Sequence, residues 1–358
     1  MKIVIMAGGT GGHVFPALAV ADVLRTRGHE VIWIGTQHGL EARVVPAAGI
    51  PVEWIEVGGI RGKGLATLLK SPFRIARAMT QAFHILKHLH PAVVLGMGGF
   101  TSGPGGLSAR LLGCPLVLHE QNAAPGFTNR VLSRVAKRVL EGFPASFAAP
   151  RHAQYVGNPV RAVIAALPLP EIRFAARTGP LRVLVIGGSQ GAKVLNDTVP
   201  LALAQLDAAP HPEIWHQTGE RDAPSVAAAY RTGGLTARVM PFIEDMAQAY
   251  AWADLAVCRA GALTIAELAA AGLGAVLVPF AEAVDDHQTR NAEFLLWAGA
   301  AELMNQSQLS PLTLAALLKR LLLDRSTLLE MAKRARVLAK PDAAVKVADA
   351  CLQAGGLA

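Results

Sequence analysis

Residues 2–13 read KIVIMAGGTGGH, in which an apolar β-strand pattern runs directly into a turn with four glycines. A helical pattern follows over residues 16–27 and stops at Gly28, and a second short apolar run covers residues 31–35. Strand, glycine turn, helix and strand in this order are typical of a parallel sheet with crossover helices.

The same order recurs half a chain later. Residues 181–186 read LRVLVI, residues 187–192 read GGSQGA, and a helix is predicted from Lys193. Two such openings in 358 residues predict an α/β protein with two similar, doubly wound domains. Further strands are predicted at residues 92–95, 116–118, 255–257 and 275–278.

The boundary between the two domains is predicted near residue 160. Residues 157–161 (GNPVR) and the Pro-rich residues 167–170 have the composition of a linker. We therefore expect an N-terminal domain over residues 1–160 and a C-terminal domain over 161–340. We expect the last helical segment, within 341–358, to pack back on the first domain.

Composition excludes several classes of protein. The chain is 52% hydrophobic and 17% charged, so it can bury large cores and is not disordered. Its three cysteines give no disulfide framework, which suits a reducing cytoplasm. The N-terminus does not have the pattern of a signal peptide, and no apolar stretch reaches the ~18 residues of a membrane span.

The charge is concentrated in the first half of the chain. Residues 1–160 carry 16 Lys and Arg against 7 Asp and Glu, a net charge of +9, whereas residues 161–358 carry 18 against 19. This half should attract anions, either a nucleic acid or an anionic lipid surface. Aromatic residues are only 5%, which argues against nucleic-acid binding by base stacking. The basic residues between 57 and 119, where no acidic residue occurs, are Arg61, Lys63, Lys70, Arg74, Arg77, Lys87 and Arg110.

The first glycine loop, residues 8–13, indicates an anion-binding turn. Glycine lets the backbone approach an anion closely, and the first turn of a helix offers free N–H groups and a partial positive charge. A tight turn without a ligand is the alternative. His13 is a candidate general base, and its alternatives are a hydrogen bond to phosphate or a simple position at the start of the helix.

Two more glycine loops resemble the first. Residues 96–106 (GMGGFTSGPGG) follow a predicted strand in the basic half, and together with the first loop they predict two loops facing one diphosphate, although alone they could be only flexible. In the third loop, Ser189 can donate its hydroxyl to a phosphate. NAD and ATP sites are not expected, since neither a complete GxGxxG with its acidic partner nor Gly-Lys-Ser/Thr is present.

Two polar segments of the second half indicate sugar or nucleotide contacts. In residues 258–267 (CRAGALTIAE), Glu267 lies about one turn into a predicted helix, where a carboxylate can bridge two ribose hydroxyls or simply compensate the helix dipole. Residues 285–288 (DDHQ) lack the spaced partners of a metal site, so a polar sugar-binding loop is predicted there.

Eight motifs stand in order between residues 8 and 288: GGTGGH, GMGGFTSGP, HEQN (119–122), GNPVR, GGSQGA, PFIEDM (241–246), CRAGALTIAE and DHQ. In this set and order, the chain resembles the MurG family of peripheral membrane N-acetylglucosaminyltransferases. The resemblance covers most of the chain. It implies the GT-B fold, in which two Rossmann-like domains have a cleft between them.

The resemblance also implies a donor site for UDP-N-acetylglucosamine (UDP-GlcNAc), mainly on the second domain. Ser189 would hold the diphosphate with Arg161 beside it, and Ile243 would meet the uracil through its backbone. Glu267 would bind the ribose hydroxyls, and Gln288 would bind hydroxyls of the sugar. The other donor contacts implied are Thr10, Gly11, Gly12, Asn122, Ala262, Leu263, Thr264, Ile265 and Ala266.

The acceptor implied is undecaprenyl-pyrophosphoryl-N-acetylmuramoyl-pentapeptide, lipid I, which the family converts to lipid II for peptidoglycan. The glycine loops of the first domain would bind its diphosphate, with contacts at Gly98, Gly99, Thr101 and Ser102. The reaction implied is a single inverting displacement, for which His13 is the candidate base. No cofactor and no metal are expected, so loop amides, Ser189, Arg161 and a helix dipole would stabilise the leaving UDP.

Residues 65–89 combine apolar and basic side chains in one segment. Such a segment can lie among lipid headgroups, at about 1 kcal/mol for each basic residue near an anionic surface. An ordinary crossover helix with a solvated basic side is the alternative. With the resemblance, a peripheral location on the cytoplasmic face of the cell membrane is predicted. The predicted partners are UDP-GlcNAc, lipid I, the anionic membrane surface and other proteins of cell-wall synthesis, and no nucleic acid.

Other functions are compatible with parts of this pattern. Another GT-B glycosyltransferase with a lipid acceptor and a UDP-GlcNAc epimerase are the nearest alternatives, and dependence on the acceptor separates both from the first reading. A nucleic-acid-binding protein would use the basic half but would leave the glycine loops without a role. A scaffold that binds the nucleotide sugar without turnover is a further alternative.

Overall fold

The computed structural model describes residues 1–57, 65–188, 191–206, 211–281 and 286–356, except for the side chains of residues 65–72 and 150. The chain divides into two compact units. The first consists of Met1–Arg161 and Lys340–Ala358, and the second consists of Ala162–Ala339.

The described part of the first unit contains a sheet of seven parallel strands in the order β3-β2-β1-β4-β5-β6-β7. Ile5 of the first strand pairs with Trp33 on one side and with Leu95 on the other. The strands are β1 (Lys2–Met6), β2 (Glu30–Gly35), β3 (Val52–Trp54), β4 (Val93–Gly96), β5 (Leu116–Glu120), β6 (Arg138–Glu141) and β7 (Gln154–Tyr155).

Helices cover both faces of this sheet, and a 3₁₀ turn covers Ala149–Arg151. The helix α15 comes from the C-terminal end of the chain, yet it packs against α1 in this unit. The helices of the unit are α1 (Gly11–Thr26), α2 (Glu41–Ala47), α3 (Leu65–Leu89), α4 (Ser102–Leu111), α5 (Phe127–Leu132) and α15 (Ala343–Ala354).

Alternation along β1 builds two cores, one on each face of the sheet. Ile3 and Ile5 belong to a cluster that contains residues of α1 and α15, such as Val347. Val4 and Met6 belong to the opposite cluster, with residues of α3 and α4. Because both faces of β1 are buried, its residues 3–6 are all apolar, as expected for a parallel sheet between two helical layers.

The second unit repeats the plan with six described strands in the order β10-β9-β8-β11-β12-β13. Its described strands pair in parallel. The strands are β8 (Arg182–Ile186), β9 (Glu213–Gln217), β10 (Ala237–Met240), β11 (Leu255–Cys258), β12 (Gly274–Leu277) and β13 (Ala301–Leu303). The helices are α6 (Ala162–Ala165), α7 (Pro170–Ala175), α8 (Lys193–Leu203), α9 (Ala223–Thr232), α10 (Met246–Trp252), α11 (Ala262–Ala271), α12 (His287–Leu296), α13 (Pro311–Leu321) and α14 (Arg325–Val337), and a 3₁₀ turn covers Gln306–Gln308.

One element begins earlier than the sequence predicts. The helix expected from residue 16 begins at Gly11 and has Pro16 in its interior. Glycine has low helix propensity, and proline is most common in the first turn of a helix, so the pattern placed the start too late. The earlier start puts His13 in the first turn of α1, next to the free N–H groups of the helix.

Candidate active site

The loops singled out in the first unit leave neighbouring strands at the same edge of the sheet. Strand β1 lies between β2 and β4, so the strand order reverses beside it, and β5 follows β4. In open α/β sheets, ligands bind outside the carboxyl ends of the strands at such a reversal. The second unit has the same arrangement, with β8 between β9 and β11.

His13 is the centre of the first cluster. Its Nδ1 lies 2.8 Å from Oε1 of Gln121, which follows β5. Gly98 follows β4 and has φ +91°, and a Cβ on it would lie 2.8 Å from the imidazole of His13. The three loops after β1, β4 and β5 therefore meet at this imidazole, which is half-buried.

A buried carboxylate holds the first glycine loop. Glu41 is fully buried, and its Oε2 accepts a hydrogen bond from the main-chain N of Gly9 at 2.9 Å. Its Oε1 accepts from the main-chain N and the hydroxyl of Thr36, at 3.0 and 2.7 Å. A Cβ on Gly8 would lie 2.7 Å from Oε1 of Glu41, so only glycine allows this approach.

The second glycine loop packs tightly on the first. A Cβ on Gly99, at φ +80°, would lie 2.2 Å from the carbonyl oxygen of Gly8. Thr101 and Ser102 are fully buried. The Ser102 hydroxyl lies 3.1 Å from the carbonyl of Met6 and 2.8 Å from that of Gly98. Because its hydroxyl is hydrogen-bonded to the main chain, Ser102 would contact a diphosphate through its main-chain N–H.

Asn122 is held by the residue two positions before it. Oε1 of Glu120 accepts from the main-chain N of Asn122 at 2.9 Å and from its Nδ2 at 3.1 Å. Oε2 of Glu120 accepts from Asn129 and from the main-chain N of Gly126. Thr10 is exposed just before α1, and Gly11 and Gly12 form the start of that helix.

Arg161, at the end of the first unit, lies beside the same helix. Its guanidinium lies 5.5 Å from the centroid of the Phe15 ring in α1. This is within the range of a cation–π contact, which orients the cation without neutralising it.

The second unit has a cavity of about 640 Å³ at the carboxyl ends of β8 and β11. Arg259 donates to the carbonyls of Val278 and Pro279, at 3.2 and 3.0 Å, and burial lowers the pKa of its guanidinium. Ser189 lies outside the described residues. The cavity is lined by Ile186, Gly187, Gly188, Gly191, Ala192, Lys193, Val194, Asp197, Arg259, Gly261, Thr264, Phe280, Gln288 and Gln306.

The predicted residues 262–267 are the first six of α11. Ala262, Ile265 and Glu267 are buried, whereas Leu263, Thr264 and Ala266 are half-buried. Oε2 of Glu267 accepts a hydrogen bond from the hydroxyl of Tyr250 at 3.0 Å. The helix thus presents Thr264 to the cavity and holds a buried carboxylate one turn further along.

Two glutamines anchor the loops of this unit. Gln288 in α12 accepts from the main-chain N of Phe280 at 2.9 Å, so one of the predicted sugar contacts lies at the cavity wall. Gln217 at the end of β9 donates to the carbonyls of Gly188 and Pro241. Pro241 opens the motif that contains Ile243, whose side chain is buried, which is compatible with recognition through its backbone.

Two histidines are buried in hydrogen-bonded positions. Burial lowers the pKa of His119 to about 4, although its bond to the carbonyl of Gly157 opposes this shift. Burial lowers the pKa of His216 to about 3, and this ring lies between the Tyr230 hydroxyl and Asn196 Oδ1, at 2.9 and 3.1 Å. Both imidazoles are therefore neutral at pH 7.

Helix α3 shows exposed apolar and basic residues in the part whose side chains are described. Residues 73–77 are exposed, and Phe73 is 80% exposed. Arg77 forms an exposed salt bridge with Glu56 at 2.6 Å. Further along, Ala82 and Leu86 are buried in the core. None of the described helices is both long and apolar enough to cross a bilayer.

Several residues of these clusters carry no role in the sequence-based prediction. Gln121 and His119 stand in the motif HEQN, from which only Asn122 was assigned a contact. Glu41 and Gln217 belong to no motif. Only their position could have indicated a role, since each is a polar residue at or shortly after the end of a parallel strand.

Comparison with known proteins identifies the family. Residues 3–141 match the model of the glycosyltransferase family 28 N-terminal domain, and residues 182–347 match that of the family 28 C-terminal domain. A curated relative from Nitrosococcus oceani is 56% identical over 99% of this chain and 98% of its own length. Another, from Marinobacter nauticus, is 53% identical over 99% and 97%. Both are named UDP-N-acetylglucosamine–N-acetylmuramyl-(pentapeptide) pyrophosphoryl-undecaprenol N-acetylglucosamine transferase.

Solved structures agree with this result. The crystal structure of Acinetobacter baumannii MurG is 45% identical, with a TM-score of 0.85 over 98% of this chain and 99% of that one. A glycosyltransferase of kitacinnamycin, at 18% identity and a TM-score of 0.71 over 99% and 98%, shares the fold. The predicted fold class, two Rossmann-like domains as in GT-B glycosyltransferases, is confirmed.

Proposed function

The chain belongs to glycosyltransferase family 28, and we propose that it transfers N-acetylglucosamine from UDP-GlcNAc to the 4-hydroxyl of the N-acetylmuramoyl group of lipid I, giving lipid II. The single observation that carries this proposal is the 56% identity, over 99% of the chain, to a transferase named for these substrates.

The second unit is proposed to bind the donor. Its cavity of about 640 Å³ is large enough for a nucleotide ligand and is lined by the third glycine loop and by Thr264 and Gln288. Glu267, held by Tyr250, is proposed to bind the ribose hydroxyls, because a carboxylate accepts from two neighbouring hydroxyls. Ile243 is proposed to read the uracil through its main chain.

The leaving UDP must be stabilised as negative charge builds on its phosphates. The N-terminus of α8 follows the glycine loop, and free N–H groups at such a terminus favour anions. Lys193 is in the first turn of α8 and lines the cavity, but its Nζ is paired with the Asp197 carboxylate at 2.8 Å, so the proposed stabilisation rests on the main-chain N–H groups and not on this cation. Ser189 and Arg161 are proposed to contact the diphosphate directly.

His13 is proposed to be the general base. It accepts the proton of the acceptor hydroxyl while the oxygen attacks the anomeric carbon and the bond from that carbon to UDP breaks. A proton on imidazole and a negative charge on UDP balance the reaction. Thr10, Gly11, Gly12 and Asn122 are proposed to hold the donor sugar in the same step.

The loop of Gly98 and Gly99 is proposed to bind the diphosphate of the acceptor. Both glycines have positive φ, and the loop precedes the N-terminus of α4. Successive main-chain N–H groups in such a turn form a concavity that suits an anion.

Residues 65–77 of α3 and their basic neighbours are proposed to bind the anionic cytoplasmic membrane surface. Phe73 and Arg74 are exposed side by side, which is the combination of an interfacial segment. The undecaprenyl tail of the acceptor would hold the substrate at the same surface. The protein is accordingly proposed to be peripheral on the membrane.

The experiment that tests the function is UDP release from UDP-GlcNAc, with and without a short-chain analogue of lipid I, with UDP-glucose as control donor. We expect release that requires the analogue and strongly favours the N-acetyl sugar. Release without any acceptor would instead indicate an epimerase or a hydrolase. Release only with a different lipid, such as diacylglycerol, would indicate another acceptor.

A further inference from the structure

A chain of hydrogen bonds runs from His13 into the interior of the first unit. Nδ1 of His13 lies 2.8 Å from Oε1 of Gln121, and Nε2 of Gln121 lies 3.0 Å from Nδ1 of His119. Nε2 of His119 lies 2.9 Å from the carbonyl oxygen of Gly157. His119 is fully buried and Gln121 is 1% exposed, so water does not compete for the two contacts made by His119.

The direction of each bond follows from groups that can only accept. The carbonyl of Gly157 has no proton, so His119 must carry one on Nε2. Because His119 is neutral, its Nδ1 is an acceptor, and the Gln121 amide must direct its NH₂ towards it. The carbonyl oxygen of His119, 3.1 Å from Nε2 of Gln121, requires the same orientation of the amide.

The amide oxygen of Gln121 consequently faces His13. An oxygen accepts, so Nδ1 of His13 donates to it and carries the proton of the neutral ring. Its Nε2 is then the nitrogen with the free lone pair. Gly98 lies close to the ring, since a Cβ at that position would be 2.8 Å from Cε1 and Nδ1 of His13.

We propose that His119 and Gln121 are positioning residues that hold His13 in the tautomer protonated on Nδ1, so that Nε2 is ready to accept a proton. The use of this tautomer in catalysis rests on the proposed role of His13 as base. The tautomer itself does not, because it follows from contacts of the free protein. In enzymes with a histidine base, a partner on one ring nitrogen commonly sets the protonation of the other.

The burial of His119 fixes the direction of the hydrogen bonds that run from it through Gln121 to His13. If this ring held a second proton, its Nδ1–H would face the NH₂ of Gln121, and the amide would have to turn its nitrogen towards His13. A pKa of about 4 keeps the ring neutral under ordinary conditions, which is consistent with the proposed direction.

The experiment is an NMR measurement on the full chain labelled with ¹⁵N-histidine, at a pH where imidazoles are neutral. Long-range ¹H–¹⁵N correlations distinguish the protonated from the unprotonated ring nitrogen, and a His13→Ala variant assigns the signals of His13. We expect the Nδ1–H form in the wild-type protein, and a shift towards the Nε2–H form in Gln121→Leu. A wild-type ring protonated on Nε2, or a tautomer that Gln121→Leu leaves unchanged, would overturn the proposal.

Kinetics separate positioning from a merely structural role. Gln121→Leu should lower kcat by about 10²-fold, the lower end of what a general base contributes, with KM for UDP-GlcNAc within about twofold. His119→Phe should cost less, because the His119 carbonyl still orients the amide. Gln353→Leu, an exposed glutamine on α15, is the matched control and should behave as wild type.

The two proposals fail in different ways. If Gln121→Leu does not fold, the tautomer of His13 in the wild-type protein still tests the proposal, since that measurement does not require a substitution of Gln121. If UDP release fails but His13 carries its proton on Nδ1, the proposed function is wrong and the positioning stands. If UDP release succeeds but the His13 ring is protonated on Nε2, the proposed function stands and the proposed positioning is wrong.

Discussion

Gln217 donates a hydrogen bond from its side-chain Nε2 to the main-chain carbonyl of Gly188, 2.7 Å away. The same nitrogen lies 3.1 Å from the carbonyl of Pro241, which opens the segment proposed to bind uracil. Gln217 is 3% exposed. One buried amide therefore sets the spacing between the proposed diphosphate loop and the proposed base-binding segment.

Replacing Gln217 by Leu should weaken UDP binding by up to about 30-fold, because two hydrogen bonds of about 1 kcal/mol each are lost and the loops separate. Isothermal titration calorimetry with UDP measures this change. The exposed Gln353→Leu variant should keep the wild-type Kd, whereas an unchanged Kd in Gln217→Leu would show that the amide does not shape the site.

Gly98→Ala should lower kcat through the contact with His13. Alanine at φ +91° also costs roughly 1–2 kcal/mol of stability, so the control must carry the same strain. Gly113→Ala provides it, since Gly113 has φ +69° and no atom within 4 Å of a built Cβ. We expect both variants to unfold more easily, measured by thermal denaturation, and only Gly98→Ala to lose activity. Equal activities in the two variants would argue against this contact.

Most of the fold could be predicted because apolar strands that end in glycine turns are local signals. The strands after Ala92 and before Gly187 were predicted within one residue of their observed ends. The start of α1 was not, since glycine and proline are poor helix formers and the helix depends on tertiary contacts.

Parts of the site could not be predicted for a related reason. Gln121 acts on His13 across 108 positions of sequence, and Glu41 acts on Gly9 across 32. The order of the strands in the sheet brings such partners together, and local sequence patterns do not predict that order. The family resemblance implied a diphosphate contact at Ser102 without saying which atom makes it, and the structure engages the Ser102 hydroxyl with main-chain carbonyls.

His13→Gln should reduce kcat by about 10²–10⁴-fold, the usual contribution of a general base. The affinity for UDP, measured by calorimetry, should stay the same, because His13 is proposed to contact the acceptor hydroxyl and not the nucleotide. His38→Gln, an exposed histidine of the same unit, should retain wild-type kcat. Full activity of His13→Gln would remove His13 from the mechanism.

The two buried histidines should make the protein sensitive to acid. Their folded-state pKa values, about 4 for His119 and about 3 for His216, lie below the value of about 6.5 for an exposed imidazole. The unfolded chain therefore binds more protons below pH 6.5. Each histidine contributes stability that is complete above pH 6.5 and falls by about 1.4 kcal/mol per pH unit as the pH drops towards the folded-state value.

Both rings can be followed by their NMR signals, and unfolding by denaturant can be measured at pH 7 and pH 5. We expect the His119 and His216 signals to stay in the neutral form throughout this range, and the free energy of unfolding to be lower at pH 5. A signal that titrates near pH 6.5 would mean that the ring is accessible to water in the folded protein.

Changing Lys70, Arg74 and Arg77 together to Gln should weaken binding to anionic vesicles. At about 1 kcal/mol for each basic residue, the expected loss is on the order of 100-fold, and it should diminish at high salt. Vesicle sedimentation measures the binding, and UDP affinity should not change. A control triple of exposed residues in the second unit, Arg231, Lys319 and Arg320, should leave vesicle binding intact. Equal losses in both triple variants would show that vesicle binding depends on net charge and not on α3.

This chain is proposed to make a new glycosidic bond on a muramoyl lipid, with inversion at the sugar. The most direct measurement is transfer of labelled N-acetylglucosamine from UDP-GlcNAc to a short-chain analogue of lipid I, with the anomeric configuration of the isolated product read by NMR. We expect a single product with a β linkage to the 4-hydroxyl of N-acetylmuramic acid. A product with an α linkage, or labelled sugar recovered only as free N-acetylglucosamine or an epimer, would contradict it.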